Sequence, residues 1–396
     1  MNRECIVCNG TLHHLVSFDN MPASAQNIPD ANEVENDYPI SLEMCQCEQC
    51  GLVQLNVDPV DYYKDVIRAG GGTKTMFDLR HEEYNRLLSI MRKEKVNGRN
   101  IIEVGCGRGE FLQMWKNVSE ENKLNLWGIE NKKELVEEAR EKGLNVYQAF
   151  AENGVIFPGA PFDAFVQFNF LEHQPKPLDM LRCIYNNLKD GAIGLVTVPS
   201  FEYIMKYDGY YELIRDHIAY YDERTLKEVF ERVGFAVLEE RIVNRDTIEI
   251  IVKKVADTGF KGSEFNGQYA DVSALLNNYN IVKADFENHM ESLEKDKKTI
   301  AIWGAGHQGF TLAATTEMLG KVKYIIDSAT FKQGKFAPAS HIPIVEPDYY
   351  FEEPVDEILI VAPGYTDEIA NIIKEKYGRQ VKIYVLKSEK IMEYVE

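Results

Sequence analysis

Two pairs of cysteines near the start of the chain have the spacing of metal ligands. Cys5-x-x-Cys8 and Cys47-x-x-Cys50 supply four thiolates, and each pair suits two corners of a tetrahedral Zn²⁺ site. Five of the seven cysteines lie within the first fifty residues, which favours a metal site over disulfides in a reducing compartment. Four protein ligands close such a site, so we expect the metal to be structural. The gap between the pairs is longer than in a common zinc ribbon, and the role of Cys45 stays open.

A glycine-rich turn marks a candidate cofactor site in the middle of the chain. Gly105, Gly107 and Gly109 lie in IIEVGCGRGEF, after a strand-like run and before a helical one. Glycine allows such a turn to be tight and lets the backbone approach a ligand closely. The spacing GxGxG differs from the GxGxxG of dinucleotide-binding folds, which disfavours a nicotinamide cofactor and leaves another nucleotide as the alternative.

Acidic and small residues at neighbouring strand ends extend this candidate cofactor site. Glu103 stands two residues before the first glycine, and Glu130 ends the next predicted strand, NLWGIEN. A carboxylate at that second position is placed to accept hydrogen bonds from ribose hydroxyls. Ala151 and Glu152 follow the third predicted strand and are placed to frame an adenine, while Asn169 ends the fourth, FDAFVQFNF.

An aspartate and a histidine form the candidate catalytic pair. Asp216 and His217 are neighbours in YYELIRDHIAYYDERTLKE. A neutral imidazole titrates near neutral pH and suits proton abstraction, whereas a polar pair satisfied inside a core is the alternative. Adjacent residues of a strand point to opposite faces, so a direct contact between the two side chains stays open. Tyr220 and Tyr221 are candidate hydrogen-bond donors or core residues, and His173 in FLEHQPKP is interpreted as structural.

Alternating strand-like and helical segments have to position these residues. Between residues 75 and 255 short apolar runs alternate with amphipathic stretches such as KKELVEEAREKG, which predicts a parallel sheet with helices on both faces. FAVLEERIVNRDTIEIIVKK predicts an antiparallel edge pair. We therefore expect a zinc-binding module at 1–60, a cofactor-binding core at 61–256, and a helical linker with a second, smaller α/β domain at 257–396.

Composition restricts the classes of partner. The 396 residues carry a formal net charge of -19, which argues against nucleic acid because phosphate binding needs a basic surface. No apolar run approaches the length of a membrane span, and MNRECIVCNG lacks the apolar core of a signal peptide. We expect no membrane partner and a cytoplasmic protein, either a monomer or a homodimer.

The motifs taken together resemble a known family. EVGCGRG, the acid at Glu130 and FDAF…LEH are similar to the S-adenosylmethionine-dependent methyltransferases. The order of paired CxxC motifs, CGLVQL, EVGCGRG, GAGHQG and IIDSATFKQGKFAPASHIPI, with MPASAQNIPD between the pairs, resembles the nucleotide-sugar C-methyltransferases over nearly the whole chain. The resemblance implies a Rossmann-like class I methyltransferase core with a small N-terminal zinc module and a second C-terminal Rossmann-like domain. It also implies S-adenosylmethionine, a structural zinc and a nucleotide-linked 4-keto-6-deoxyhexose as substrate.

The resemblance further implies roles for individual residues. His217 matches the family's base and Asp216 an acid that is usually Glu, whereas Ile214 replaces an expected Tyr. The Tyr- and Ser-rich stretch expected before the core reads VIRAGGGTKTM here, so the identity of the substrate stays open. The expected substrate contacts are Arg68, Tyr220, His307, Lys332, Lys335 and His341.

The implied reaction is methylation of a carbon next to a ketone, through an enolate formed by a general base. Methylation of oxygen or nitrogen on another nucleotide-sugar or small metabolite is one alternative. A non-catalytic, zinc-stabilised binding protein is another. The GxGxxG spacing of GAGHQG also leaves open a separate phosphate-binding site in the last domain.

Overall fold

A computed structural model describes residues 4–64, 74–256, 259–362, 364–387 and 390–394. Arg68 lies outside the described residues. The strands are β1 (Leu12–Met21), β2 (Ile40–Cys47), β3 (Val53–Leu55), β4 (Asn100–Val104), β5 (Asn125–Glu130), β6 (Val146–Gln148), β7 (Phe162–Phe168), β8 (Leu188–Pro199), β9 (Ala219–Tyr220), β10 (Phe235–Val243), β11 (Thr247–Lys254), β12 (Ile300–Trp303), β13 (Ile325–Ile326), β14 (Ile344–Val345), β15 (Glu357–Ile360), β16 (Lys382–Lys387) and β17 (Lys390–Glu393). The helices are α1 (Lys74–Lys93), α2 (Glu110–Asn122), α3 (Lys133–Glu141), α4 (Pro177–Asn186), α5 (Phe201–Lys206), α6 (Glu223–Glu231), α7 (Ser273–Asp296), α8 (His307–Thr315) and α9 (Thr366–Lys376).

A small antiparallel sheet carries the two Cys-x-x-Cys turns. Its strand order is β1-β2-β3-β9, and β1 and β2 are antiparallel, with Leu12 opposite Cys47 and two register shifts along the pair. The fourth strand, β9, comes from the central part of the chain and pairs Val53 with Tyr220. The cysteine-rich module and the segment that follows His217 therefore share one sheet.

The central domain is built on a seven-stranded sheet in the order β10-β11-β8-β7-β4-β5-β6. The five strands from β4 to β8 are parallel, whereas β10 and β11 are antiparallel, as the sequence predicts. Ile101 packs with Tyr84 of α1 and Trp115 of α2, and the next residue, Ile102, packs in the cluster of α4 and α6. Successive side chains of a strand point to opposite faces, so apolar runs without alternation mark strands covered on both sides.

The C-terminal domain repeats this layered construction on a smaller scale. Its sheet has the order β14-β13-β12-β15-β16-β17, with every strand parallel except β17. This is the order of a Rossmann fold, in which ligands bind where the strand order reverses, here between β12 and β15. The predicted fold class, with two Rossmann-like domains behind a small N-terminal module, is confirmed.

One hydrophobic cluster crosses all three parts of the chain. It joins Phe18 of β1, Tyr210 of the central domain, Phe286 of α7 and Phe310 of α8. Within α7, Leu275 is buried in this cluster, whereas the next residue, Leu276, is 40% exposed. In the described part of the chain, no helix combines the length and apolar character needed to cross a bilayer.

Candidate active site

The glycine-rich turn between β4 and α2 has room for a ligand. Gly105, Gly107 and Gly109 all have positive φ, at 77°, 55° and 73°, which side chains with a Cβ rarely adopt. A Cβ on Gly109 would lie 2.5 Å from Leu144 Cδ1, so that position also needs glycine for packing. A Cβ on Gly107 would meet nothing within 4 Å, so the turn leaves open space above the sheet.

Glu130, at the end of β5, holds the turn in place. One carboxylate oxygen accepts a hydrogen bond from Gly107 N at 3.0 Å, and the other accepts one from Lys132 N at 2.9 Å. The carboxylate is thus fixed next to the glycine turn, at the edge where the parallel strands end. A ribose bound there would find an acceptor for its hydroxyls, as the sequence predicts.

Replacing Glu130 by Ala is expected to weaken S-adenosylmethionine binding by about 10- to 100-fold. Hydrogen bonds to a charged group contribute about 1.5–3 kcal/mol each, and the substitution also frees the Gly107 turn. Isothermal titration calorimetry measures the change. Glu137→Ala removes an exposed carboxylate from the neighbouring helix α3 and is the matched control. Equal affinities of the two variants would contradict the assignment.

A narrow cleft continues from the turn towards the predicted adenine contacts. Its lining includes Gly105, Glu130, Ala151 and Phe170. Ala151 is buried in this wall, whereas Glu152 points outwards and pairs with Lys64 Nζ at 3.0 Å. The cleft therefore brings Ala151 to the glycine turn and leaves Glu152 at its rim.

Polar side chains lie at the ends of β4 and β7, beside the glycine-rich turn. Asn169 follows β7 with a positive φ of 45°, and its amide oxygen accepts hydrogen bonds from Thr197 Oγ1 at 2.9 Å and Arg80 at 3.3 Å. Burial raises the pKa of Glu103 to about 8, and Tyr84 O–H donates to this carboxyl group at 3.4 Å. Arg80 is fully buried on α1 against the Phe168 ring, and no motif of the sequence singled it out.

His217 belongs to a buried cluster whose contacts were not predicted from the sequence. Its ring packs edge-on against that of His173, with centroids 4.6 Å apart. The carboxylate of Glu172 lies 4.0 Å from His217 Nε2 and 3.8 Å from His173 Nε2. Burial, together with His173 and His307 nearby, lowers the pKa of His217 well below its usual range, so the imidazole is neutral. A neutral imidazole is a proton acceptor.

The histidine cluster lies next to the wall of the cofactor cleft. Phe170 lines the cleft and directly precedes the short 3₁₀ turn Leu171–His173. The main chain of this turn binds the His217 segment, because Ile218 N donates to Glu172 O at 2.9 Å. His217 itself is 17% exposed, so it is the member of the cluster that a substrate can reach. The sequence feature that could have identified Glu172 and His173 as site residues was their position directly after the fourth predicted strand.

Asp216 does not contact the imidazole of its neighbour. Its carboxylate accepts hydrogen bonds from Ala25 N and from Tyr62 O–H, both at 2.8 Å. Its main-chain oxygen is 2.7 Å from His173 Nδ1, which holds that ring with Nε2 towards Glu172. Asp216 thus ties the loop after β1 to the His217 segment. Its predicted catalytic role stays a prediction, and Glu172 is the acid that faces His217.

Tyr220 has a hydroxyl group that the backbone already engages. It accepts from Ile214 N at 3.0 Å and donates to Ile214 O at 3.2 Å. The ring lies edge-on to His217 with centroids 6.3 Å apart. This geometry supports a packing role at the position where a substrate contact was predicted.

The predicted substrate contacts of the C-terminal domain are already paired with acids. His307 Nε2 lies 2.8 Å from Glu212 of the central domain, and Lys332 Nζ lies 3.1 Å from Asp327. A different pairing joins the domain to the N-terminal module, where His341 Nε2 lies 3.0 Å from Asp37 and Lys335 Nζ lies 3.4 Å from Asp30. Of the four, His307 is near enough to His217 to contribute to the lowered pKa of that imidazole.

The four thiols at the N-terminus form a compact cluster. Cys5 Sγ lies 3.5 Å from Cys50 Sγ, Cys8 Sγ lies 3.3 Å from Cys47 Sγ, and all four sulfurs lie within 4.8 Å of one another. Tetrahedral Zn–S bonds of about 2.3 Å require sulfurs about 3.8 Å apart, so the cluster fits zinc. Hydrogen bonds among the four thiols lower the pKa of Cys47 and raise the pKa of Cys5, so Cys47 is the member that favours the thiolate form a metal binds. Cys45 is buried outside the cluster.

The strand order, the glycine turn and the acid after β5 define a class I S-adenosylmethionine-dependent methyltransferase. Residues 76–240 match the family model of a methyltransferase domain, and residues 246–386 match that of a C-methyltransferase C-terminal domain. The chain is 22% identical, over 94% of its own length and 92% of the relative's, to the C-methyltransferase NovU of Streptomyces niveus. The two family models together match most of the chain and support a C-methyltransferase.

Among solved structures, S-adenosylmethionine-dependent methyltransferases match part of the chain at low TM-scores. One from Clostridium acetobutylicum is 13% identical, with a TM-score of 0.35, and covers 44% of this chain and 92% of its own. Another, from Aquifex aeolicus, is 20% identical, with a TM-score of 0.33, and covers 43% of this chain and 89% of its own.

Proposed function

We propose that the protein methylates a nucleotide-linked deoxy keto sugar at a carbon next to its ketone. The observation that carries the proposal is a neutral, partly exposed His217 one short turn away from the cofactor cleft. Bound S-adenosylmethionine supplies an electrophilic methyl group. The protein's own task is then to generate a nucleophilic carbon beside it.

His217 is the proposed general base. A ketone acidifies the neighbouring C–H bond, and a neutral imidazole held against that bond removes the proton to leave an enolate. Holding the enolate in line with the methyl group supplies a large part of the rate acceleration. The loop after β1, which donates a hydrogen bond from Ala25 N to Asp216, is proposed to cover the site and position the sugar.

The nucleotide is proposed to lie between the central and C-terminal domains. A cavity of about 530 Å³ opens there, between Tyr203 and Arg245 on one side and Gln308 and Tyr365 on the other. It lies where the strand order of the second Rossmann-like sheet reverses, which is the usual ligand position in such sheets. Tyrosine rings suit a nucleobase, and Arg245 suits phosphate. A phosphate near His307 or Lys332 would compete with the acids that now pair with them.

The N-terminal cluster is proposed to bind one structural zinc ion through Cys5, Cys8, Cys47 and Cys50. The donor set of four thiols leaves no position for a substrate, which supports a structural role. Backbone N–H groups point at the sulfurs, with Cys50 N 3.4 Å from Cys47 Sγ. Such contacts stabilise thiolate charge and orient metal ligands.

Hydrogen exchange separates carbon methylation from heteroatom methylation. We expect the enzyme, without S-adenosylmethionine, to exchange deuterium from D₂O into the acceptor carbon of its nucleotide-sugar, because only a base-assisted carbon reaction ionises that C–H bond. Mass spectrometry of a panel of nucleotide-linked keto and hydroxy sugars, with and without the methyl donor, measures both exchange and methylation. Methylated product without exchange would favour an oxygen or nitrogen acceptor and contradict the proposal.

A further inference from the structure

Glu172 is a buried carboxyl group without a hydrogen-bond partner among the described residues. The side chain is 2% exposed, and neither of its oxygens has a partner. Leaving such a group unpaired costs about 1–3 kcal/mol or more, which is unusual for a residue of purely structural value. Its oxygen Oε1 points at the two imidazoles, 3.8 Å from His173 Nε2 and 4.0 Å from His217 Nε2.

The two histidines differ in what they offer this carboxyl group. His173 Nδ1 lies 2.7 Å from the main-chain oxygen of Asp216, which can only accept, so Nδ1 carries the proton and Nε2 presents a lone pair. His217 also turns Nε2 towards Glu172, which leaves Nδ1 as the nitrogen that meets a substrate. A proton on His217 Nε2 can pass to an ionised Glu172, and His173 can then accept a hydrogen bond from the resulting acid.

We propose that Glu172 is a positioning residue that takes up, through His217, the proton removed from the substrate carbon. This rests on the proposed function. The C–H bond breaks, its electron pair stays on the substrate as the enolate, and the proton goes to His217 Nδ1. His217 passes its Nε2 proton to Glu172, and the imidazole is again neutral. After turnover the carboxyl proton returns to solvent by the same path.

The surroundings favour this end state over an imidazolium–carboxylate pair. Burial raises the pKa of Glu172 to about 8 and lowers the pKa of His217, so the neutral acid beside a neutral imidazole is the preferred form. An imidazolium would also stand near the positive sulfonium of the methyl donor. The other titratable groups around the pair are His173 on the same turn, Tyr220 and Tyr221 at β9, and His307 on α8.

The pH dependence of deuterium exchange tests the proposal. Because Glu172 acts only when ionised, the exchange rate of the wild-type enzyme should rise with pH through about 8 and then level off. Glu172→Gln should lose this rise and, at pH 9, exchange about 10²-fold more slowly. Glu172→Asp keeps a carboxylate and should retain the rise at a reduced rate. Calorimetry with S-adenosylmethionine confirms that each variant is folded.

Three results would overturn the proposal, and they differ in what else they affect. A Glu172→Gln enzyme with the wild-type pH dependence removes Glu172 from the proton path and leaves the proposed function standing. If the wild-type enzyme bound a second metal ion in addition to zinc at the cysteine cluster, and Glu172→Gln lost that ion, Glu172 would be assigned as a metal ligand instead. Absence of exchange in the wild-type enzyme with every sugar that it methylates would overturn both the proton path and the proposed function.

Discussion

Replacing His217 by Asn is expected to lower kcat/KM for methyl transfer by about 10²–10⁴-fold, the range that general-base catalysis contributes. Deuterium exchange into the acceptor should fall by a similar factor, because both reactions begin with the same proton transfer. The affinity for S-adenosylmethionine should change less than twofold, since the cofactor cleft is lined by other residues. Steady-state kinetics, exchange by mass spectrometry and calorimetry on one preparation measure all three quantities.

Asp216→Asn is the matched control for this prediction. Asp216 precedes His217 in the chain, but its carboxylate binds Ala25 N and Tyr62 and does not touch the imidazole. An amide oxygen can accept one of these hydrogen bonds, so we expect a loss of less than about 10-fold, mainly in KM. A larger effect of Asp216→Asn than of His217→Asn would contradict the assignment of His217 as the base.

The layered fold could be predicted because each of its features has a local cause. β4 and β7 are buried on both faces because helices cover both, and their short, mainly apolar runs end in turn residues. The glycines of the cofactor turn are needed locally as well, since all three have positive φ. The position of Glu130 at the end of β5 follows from the parallel sheet, because the carboxyl ends of neighbouring strands meet at one edge.

The arrangement around His217 could not be predicted because it depends on long-range packing. Glu172 and His217 lie 45 residues apart in the chain, and only the pairing of the 3₁₀ turn with the Ile218 main chain brings them together. The Asp–His neighbours were the more obvious pair, yet the loop after β1 binds the aspartate from 191 residues away. His307 likewise has a partner, Glu212, in another domain. Sequence spacing carries no signal for contacts of this kind.

The position of the cysteine cluster links the proposed zinc to catalysis. β2 ends at Cys47, β3 follows the second pair of cysteines, and β3 pairs with β9 two residues after His217. Arg224 at the start of α6 donates to Cys50 O at 2.9 Å, which is a second link to the same region. A short, hydrogen-bonded path therefore connects the cysteine turns to the segment that carries the proposed base, His217.

Cys47→Ser is accordingly expected to remove the zinc and to impair catalysis as well. Metal binding provides much of the folding free energy of small zinc modules, about 10 kcal/mol in isolated ones, so the unfolding transition should fall by about 5–10 °C. Exchange and methylation should fall together, because β9 loses an ordered partner, while S-adenosylmethionine binding should change little. Cys45→Ser is the matched control, since this buried cysteine lies on the same strand outside the cluster. Metal analysis, calorimetric unfolding and the exchange assay distinguish the two variants, and equal zinc content in both would contradict the four-cysteine assignment.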